Sequence, residues 1–150
     1  MPCMRSSSPN DFRARIRCRA DTGPSIERDR RDTLGELLGI ARFRFHPGKV
    51  EEYKRLCAQA MEIVRARESG TLEYAIYFNE DETEAVAIER FASSEALLEH
   101  GANMSEISPA VLATATVEGE LLGEPSAELR AKLTGPEPEL FTPYMSLGQR

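Results

Sequence analysis

With 150 residues, 41% hydrophobic and 29% charged, the chain has the size and composition of one soluble globular domain, and no apolar run nears the roughly 20 residues of a membrane-spanning helix. A net charge of -6 excludes a general nucleic-acid binder, whose phosphate contacts need a basic surface, and leaves small molecules or other protein chains as ligands. Cys3, Cys18 and Cys57 are too few and too scattered for a disulfide scaffold or a metal site, a usage that fits a reducing cytoplasm.

Residues 1–35 mix arginine, serine, proline and aspartate with scarcely any apolar periodicity. They read as a mobile N-terminal extension; the alternative is an arginine-rich targeting or partner-binding arm. The domain proper is expected over residues 36–123. Leu37, Gly39, Ala41, Phe43 and Phe45 alternate with Leu38, Ile40, Arg42, Arg44 and His46, the spacing of a strand with one apolar face. Pro47 and Gly48 end it. Val50, Tyr53, Cys57, Ala60, Met61 and Val64 then recur at three and four residues, which predicts a helix closed by a left-handed glycine cap at Ser69-Gly70. Cys57 falls on the apolar stripe of that helix as a small core residue.

Leu72, Tyr74, Ile76 and Phe78 fall on every second position, as do Val86, Ile88 and Arg90, so two strands flank the solvated loop Asn79, Glu80, Asp81 and Glu82. Glu89 and Arg90 read as a cross-strand or surface pair. Ser93 and Ser94 suit a helix start, and the helix they open sets Leu97, His100, Gly101 and Met104 on one stripe. His100 is the chemical lead; the other histidine, His46, sits at a turn. A helical turn near Pro109 and a strand through Ala115, Val117, Gly119 and Leu121 follow. Residues 124–150 hold a short helix capped by Ser126 and an extended arm with Leu140, Phe141 and Tyr144, expected to pack across a subunit boundary.

Strand, helix, strand, strand, helix, strand is the ferredoxin-like βαββαβ order, an α+β fold in which both helices cover one face of a four-stranded antiparallel sheet. Leu38, Ile40, Ala75 and Tyr77 leave apolar surface on the other face, so a homodimer stacked sheet against sheet is expected.

The segments FRFHPGKVEEYKRL, LEYAIYFNEDETEAVAIERFASSEALLEH and ATVEGELLGEP resemble the antibiotic biosynthesis monooxygenase family of dimeric α+β barrels. The resemblance implies a cofactor-independent monooxygenase that oxidises a small phenol, quinol or polyketide-like substrate with dioxygen. It matches His100 to a histidine on the family's second helix. His100 is then the candidate base, and Asn103 and Tyr74 are candidate donors. Phe43, Phe45, Ile76, Tyr77, Phe78 and Met104 are candidate walls of a dry substrate cavity. Two histidines about fifty residues apart, with no paired acids at ligand spacing, make no metal site; the resemblance implies no cofactor, and the tryptophan of haem-degrading relatives has no counterpart in a chain without tryptophan. The alternative function is a non-catalytic, dimeric ligand-binding or stress-associated protein that encloses an apolar compound.

Overall fold

Apolar side chains at every second residue build four long strands in the computed structural model, which describes residues 35–147: β1 (Leu37–Phe45), β2 (Thr71–Phe78), β3 (Glu84–Phe91) and β4 (Ala115–Leu122). The extension expected over residues 1–35, with Cys3 and Cys18, lies outside the described residues apart from Gly35. β1 runs antiparallel between β3 and β4, and β2 pairs antiparallel with β3. Helices α1 (Val50–Arg67) and α2 (Ser94–Met104) and the short α3 (Ser108–Leu112) connect them. Ser93 caps α2 by accepting a hydrogen bond from the Ala96 amide at 3.3 Å. The expected turn at Pro47-Gly48 forms, with Gly48 at φ 75°.

The sheet departs from four strands. After α4 (Ala127–Lys132), capped by Ser126 as expected, β5 (Glu139–Phe141) pairs in parallel with β4, so the order is β2-β3-β1-β4-β5. The arm does not simply reach for another subunit: Leu140 packs on this chain's own core, and the Gly123 amide donates to the Phe141 carbonyl at 2.9 Å. Phe141 and Tyr144 remain exposed.

The helix-facing side of the sheet carries two apolar clusters. Phe43, Phe45 and Phe78 pack around Tyr53 of α1, with ring centroids 4.7 Å apart for Phe45 and Tyr53 and 4.9 Å for Phe43 and Tyr53. Beneath these large rings β3 offers only Ala85 and Ala87. At the other end Leu37, Phe91, Ala96, Leu121 and Leu129 are buried together. Leu37→Ala, within this buried cluster, is expected to cost about 2–5 kcal/mol in urea unfolding. A loss under about 1 kcal/mol would mean that this end is loosely packed.

Two local expectations change. A bulge between Thr71 and Glu73 shifts the register, leaving Leu72 exposed while Thr71 and Tyr74 pair with Phe91 and Glu89. In addition, α1 ends at Arg67, Glu68 is extended at φ -117°, and Gly70 does not form a left-handed cap. Gly70 is needed for space instead, since a Cβ there would lie 2.5 Å from the Ala96 Cβ.

Candidate active site

Extended backbone at Glu68 turns its carboxylate out of the helical path and under α2. There the side chain is 1% exposed and accepts from Thr71 Oγ1, from Asn103 Nδ2 at 3.2 Å and from His100 Nδ1 at 3.0 Å. Burial alone would push this carboxyl up, but the hydrogen bonds from Thr71, His100 and Asn103 outweigh it and hold Glu68 below the ordinary carboxylate range. Because an ionised carboxylate only accepts, His100 carries its proton on Nδ1 toward Glu68. Its Nε2 lies 3.8 Å from Glu89 Oε1, and its ring packs against Phe91 and Tyr74 at centroid distances of 5.2 and 5.7 Å.

Glu89 is the member that the sequence reading placed elsewhere. It does not pair with Arg90 on a surface: strand alternation sends Arg90 to the open face, 3.6 Å from Glu73, and sends Glu89 under the helices. Burial pushes its carboxyl up, the charge of His100 opposes this and that of Glu68 adds to it. The side chain is nonetheless 23% exposed, and that exposure faces a cavity.

The cavity, about 510 Å³, lies between the sheet and helices α2 and α4. Small residues make the room: Gly39, Ala41 and Gly119 in the strands, Gly101 and Ala102 on α2. Leu97, Leu121, Leu129 and Leu133 form the walls. Among the described residues the charged members of the lining are Glu89, Lys132 and Glu120, the last paired with Ile40 so that its side chain turns to the open face. The C-terminal segment thus supplies part of the enclosure through α4 and Pro138.

Of the candidates from sequence, His100, Asn103 and Tyr74 come together around Glu68 and Glu89, although His100 stands behind Glu89 and not on the cavity lining. Tyr74 is the cross-strand partner of Glu89, and burial, followed by the nearby Glu89 charge, pushes its phenol up. Phe43, Phe45, Ile76 and Phe78 lie in the packed cluster around Tyr53, Met104 is buried in the last turn of α2, and Tyr77 is 59% exposed on the open face. None of these six lines the cavity. Among the described residues no group of three or more His, Cys, Asp or Glu side chains has metal-binding geometry.

The opposed shifts give a pH test. The contribution of Glu68 is present above the unfolded carboxylate value and is lost as pH falls through its lower folded value. That of Glu89 is present below the unfolded value and is lost as pH rises through its higher folded value. Glu89→Gln is therefore expected to match the native Tm near about pH 4 and exceed it near about pH 8. An equal Tm difference at both would contradict the placement.

A buried carboxyl and imidazole thus stand beside an apolar cavity on a mixed α+β, ferredoxin-like fold. The chain belongs to the antibiotic biosynthesis monooxygenase family, whose model matches residues 37–114, just over half its length. Among solved structures it is similar to MupZ from Pseudomonas fluorescens, with a TM-score of 0.63 and 24% identity over 77% of this chain and 95% of that one. SnoaB from Streptomyces nogalater, a cofactor-independent oxygenase, gives a TM-score of 0.53 and 21% identity over 62% and 96%. Rv0793 from Mycobacterium tuberculosis gives 0.54 and 26% over 61% and 96%. No curated protein matches the chain in sequence.

Proposed function

We propose that this protein is a cofactor-independent monooxygenase that oxidises a small phenol, quinol or polyketide-like aromatic with dioxygen in the cavity between sheet and α2. The observation that carries this reading is the apolar enclosure with Glu89 at its edge and the His100–Glu68 pair behind. Family membership and the likeness to SnoaB support it.

In the first step the phenolic proton passes to Glu89, with Nε2 of His100 as the next acceptor. The phenolate gives one electron to dioxygen, and the aryloxyl radical and superoxide combine at a ring carbon bearing hydrogen. Glu89 returns its proton to the resulting peroxide anion, and the hydroperoxide then loses the ring hydrogen and hydroxide as water, leaving a carbonyl. One oxygen atom enters the product and the other leaves as water, so no external reductant is consumed. Apolar walls keep bulk water from the radical pair.

Oxygen uptake by metal-stripped protein with a hydroquinone and naphthalenediol panel tests the proposal. Saturable uptake above buffer is expected, and its absence with an intact fold would overturn it. One observation favours the non-catalytic alternative, the separation of His100 from the cavity lining. Under that reading His100→Ala leaves ligand affinity unchanged and no turnover is found with any substrate.

We further propose that the protein works as a homodimer in the cytoplasm. Leu38, Ile40, Ile88, Val86 and Tyr77 form an apolar stripe on the face of the sheet opposite the helices. Sedimentation at micromolar concentration is expected to give twice the chain mass, and Ile88→Asp to give the single mass; a native monomer would remove the proposal. No helix among the described residues is long and apolar enough to cross a membrane.

A further inference from the structure

We propose a second activity for this cavity that needs no oxygen: Glu89 removes and returns a proton at an acidic carbon beside a carbonyl, so the protein enolises ketones of benzylic or 1,3-dicarbonyl type. This inference rests on the reading that the cavity binds an apolar aromatic molecule, and not on any use of dioxygen.

The two oxygens of Glu89 have different surroundings. Oε1 is the one near His100 Nε2, at 3.8 Å. Oε2 lies beside Gly39 of β1, 3.4 Å from where a Cβ would stand, so the glycine leaves that oxygen uncovered on the cavity side. One oxygen therefore meets the substrate while the other meets a group that can relay protons. Among the described residues neither oxygen is held by a hydrogen bond, unlike the three-donor arrangement at Glu68. A carboxylate that is not saturated with donors retains its basicity, which removing a proton from carbon requires.

The lining also selects the carbon acid. Among the described residues Lys132 is the other charged side chain at the lining, and it is also 3.5 Å from Glu128; Glu120 pairs with Ile40, so strand alternation turns its side chain to the open face. No set of donors converges on one point to hold an enolate oxygen, so the substrate must spread that charge itself. Conjugation of the enolate with an aromatic ring or a second carbonyl does this, and a flat conjugated skeleton suits the apolar walls. The step is balanced: the C–H proton goes to Glu89 Oε2 and its electron pair to the carbonyl oxygen. The carboxyl then exchanges its proton with solvent and returns one to carbon.

The test uses the full chain in deuterated buffer under argon with 2-indanone as probe, following loss of the benzylic CH₂ signal by proton NMR. Exchange about 10²-fold faster than with Glu89→Gln at equal concentration is expected. Glu89→Asp, which draws the carboxylate back by one methylene, is expected to fall between the two. Circular dichroism checks that both variants fold. Equal exchange by native protein and Glu89→Gln would overturn the proposal. Oxygen uptake without exchange would overturn it and leave the oxygenase reading standing, whereas exchange without uptake would support it and remove that reading.

Discussion

Glu89→Gln is expected to lower the turnover of a quinol by about 10²–10⁴-fold, the usual worth of a positioned general base, with ligand affinity nearly retained. Glutamine keeps the shape of the side chain and cannot take the proton. Glu89 has the position for the role, since it lines the cavity and His100 does not. His100 is held by Glu68 and, in the proposed mechanism, takes the proton only after Glu89, so His100→Gln is expected to cost less than Glu89→Gln. Steady-state oxygen uptake by the two variants decides the order. A larger loss for His100→Gln would make the imidazole the direct base and Glu89 a bystander.

Glu68→Ala should be the most damaging single change to stability outside the apolar core, at about 3–5 kcal/mol. Its carboxylate is the common acceptor for Thr71, His100 and Asn103, and its removal leaves three donors under α2 without their partner. The imidazole would also lose the contact that fixes its tautomer. Glu68→Gln keeps an acceptor oxygen but sets an NH₂ against at least one of the same donors, so an intermediate loss is expected. Urea unfolding measures both, and a loss below about 1 kcal/mol for the alanine variant would show that the network does not organise the site.

The strands and the two main helices are legible in the sequence because their apolar residues recur at two and at three to four positions. His100 is found in the same way, since the stripe Leu97, His100, Gly101, Met104 is the side of α2 turned to the sheet and cavity. Glu89 is hidden because size misleads. Val86 and Ile88 are the larger apolar residues in the middle of β3, yet the helix-facing side there holds Ala85 and Ala87, where the rings of Phe43, Tyr53 and Phe78 fill the space. Glu89 continues this side between Ala87 and the buried Phe91. Glu68 is hidden for a different reason: its inward turn depends on α1 stopping at Arg67, while the serine and glycine at 69 and 70 suggest a later end. The cavity arises from small residues on β1, β4 and α2 that face one another only after folding, and periodicity at one element carries no sign of them. β5, three residues long and parallel, has too short a pattern to be told from an arm.

A crystal structure of the protein with 1,4-naphthoquinone, a relative of the proposed products without a phenolic hydroxyl to oxidise, tests the assignment of the cavity most directly. The ring is expected between the Gly39–Gly119 floor and the Leu97 and Leu133 side chains, with one quinone oxygen within hydrogen-bond reach of Glu89. A ligand bound elsewhere, or a cavity closed by the leucines with Glu89 out of contact, would contradict it.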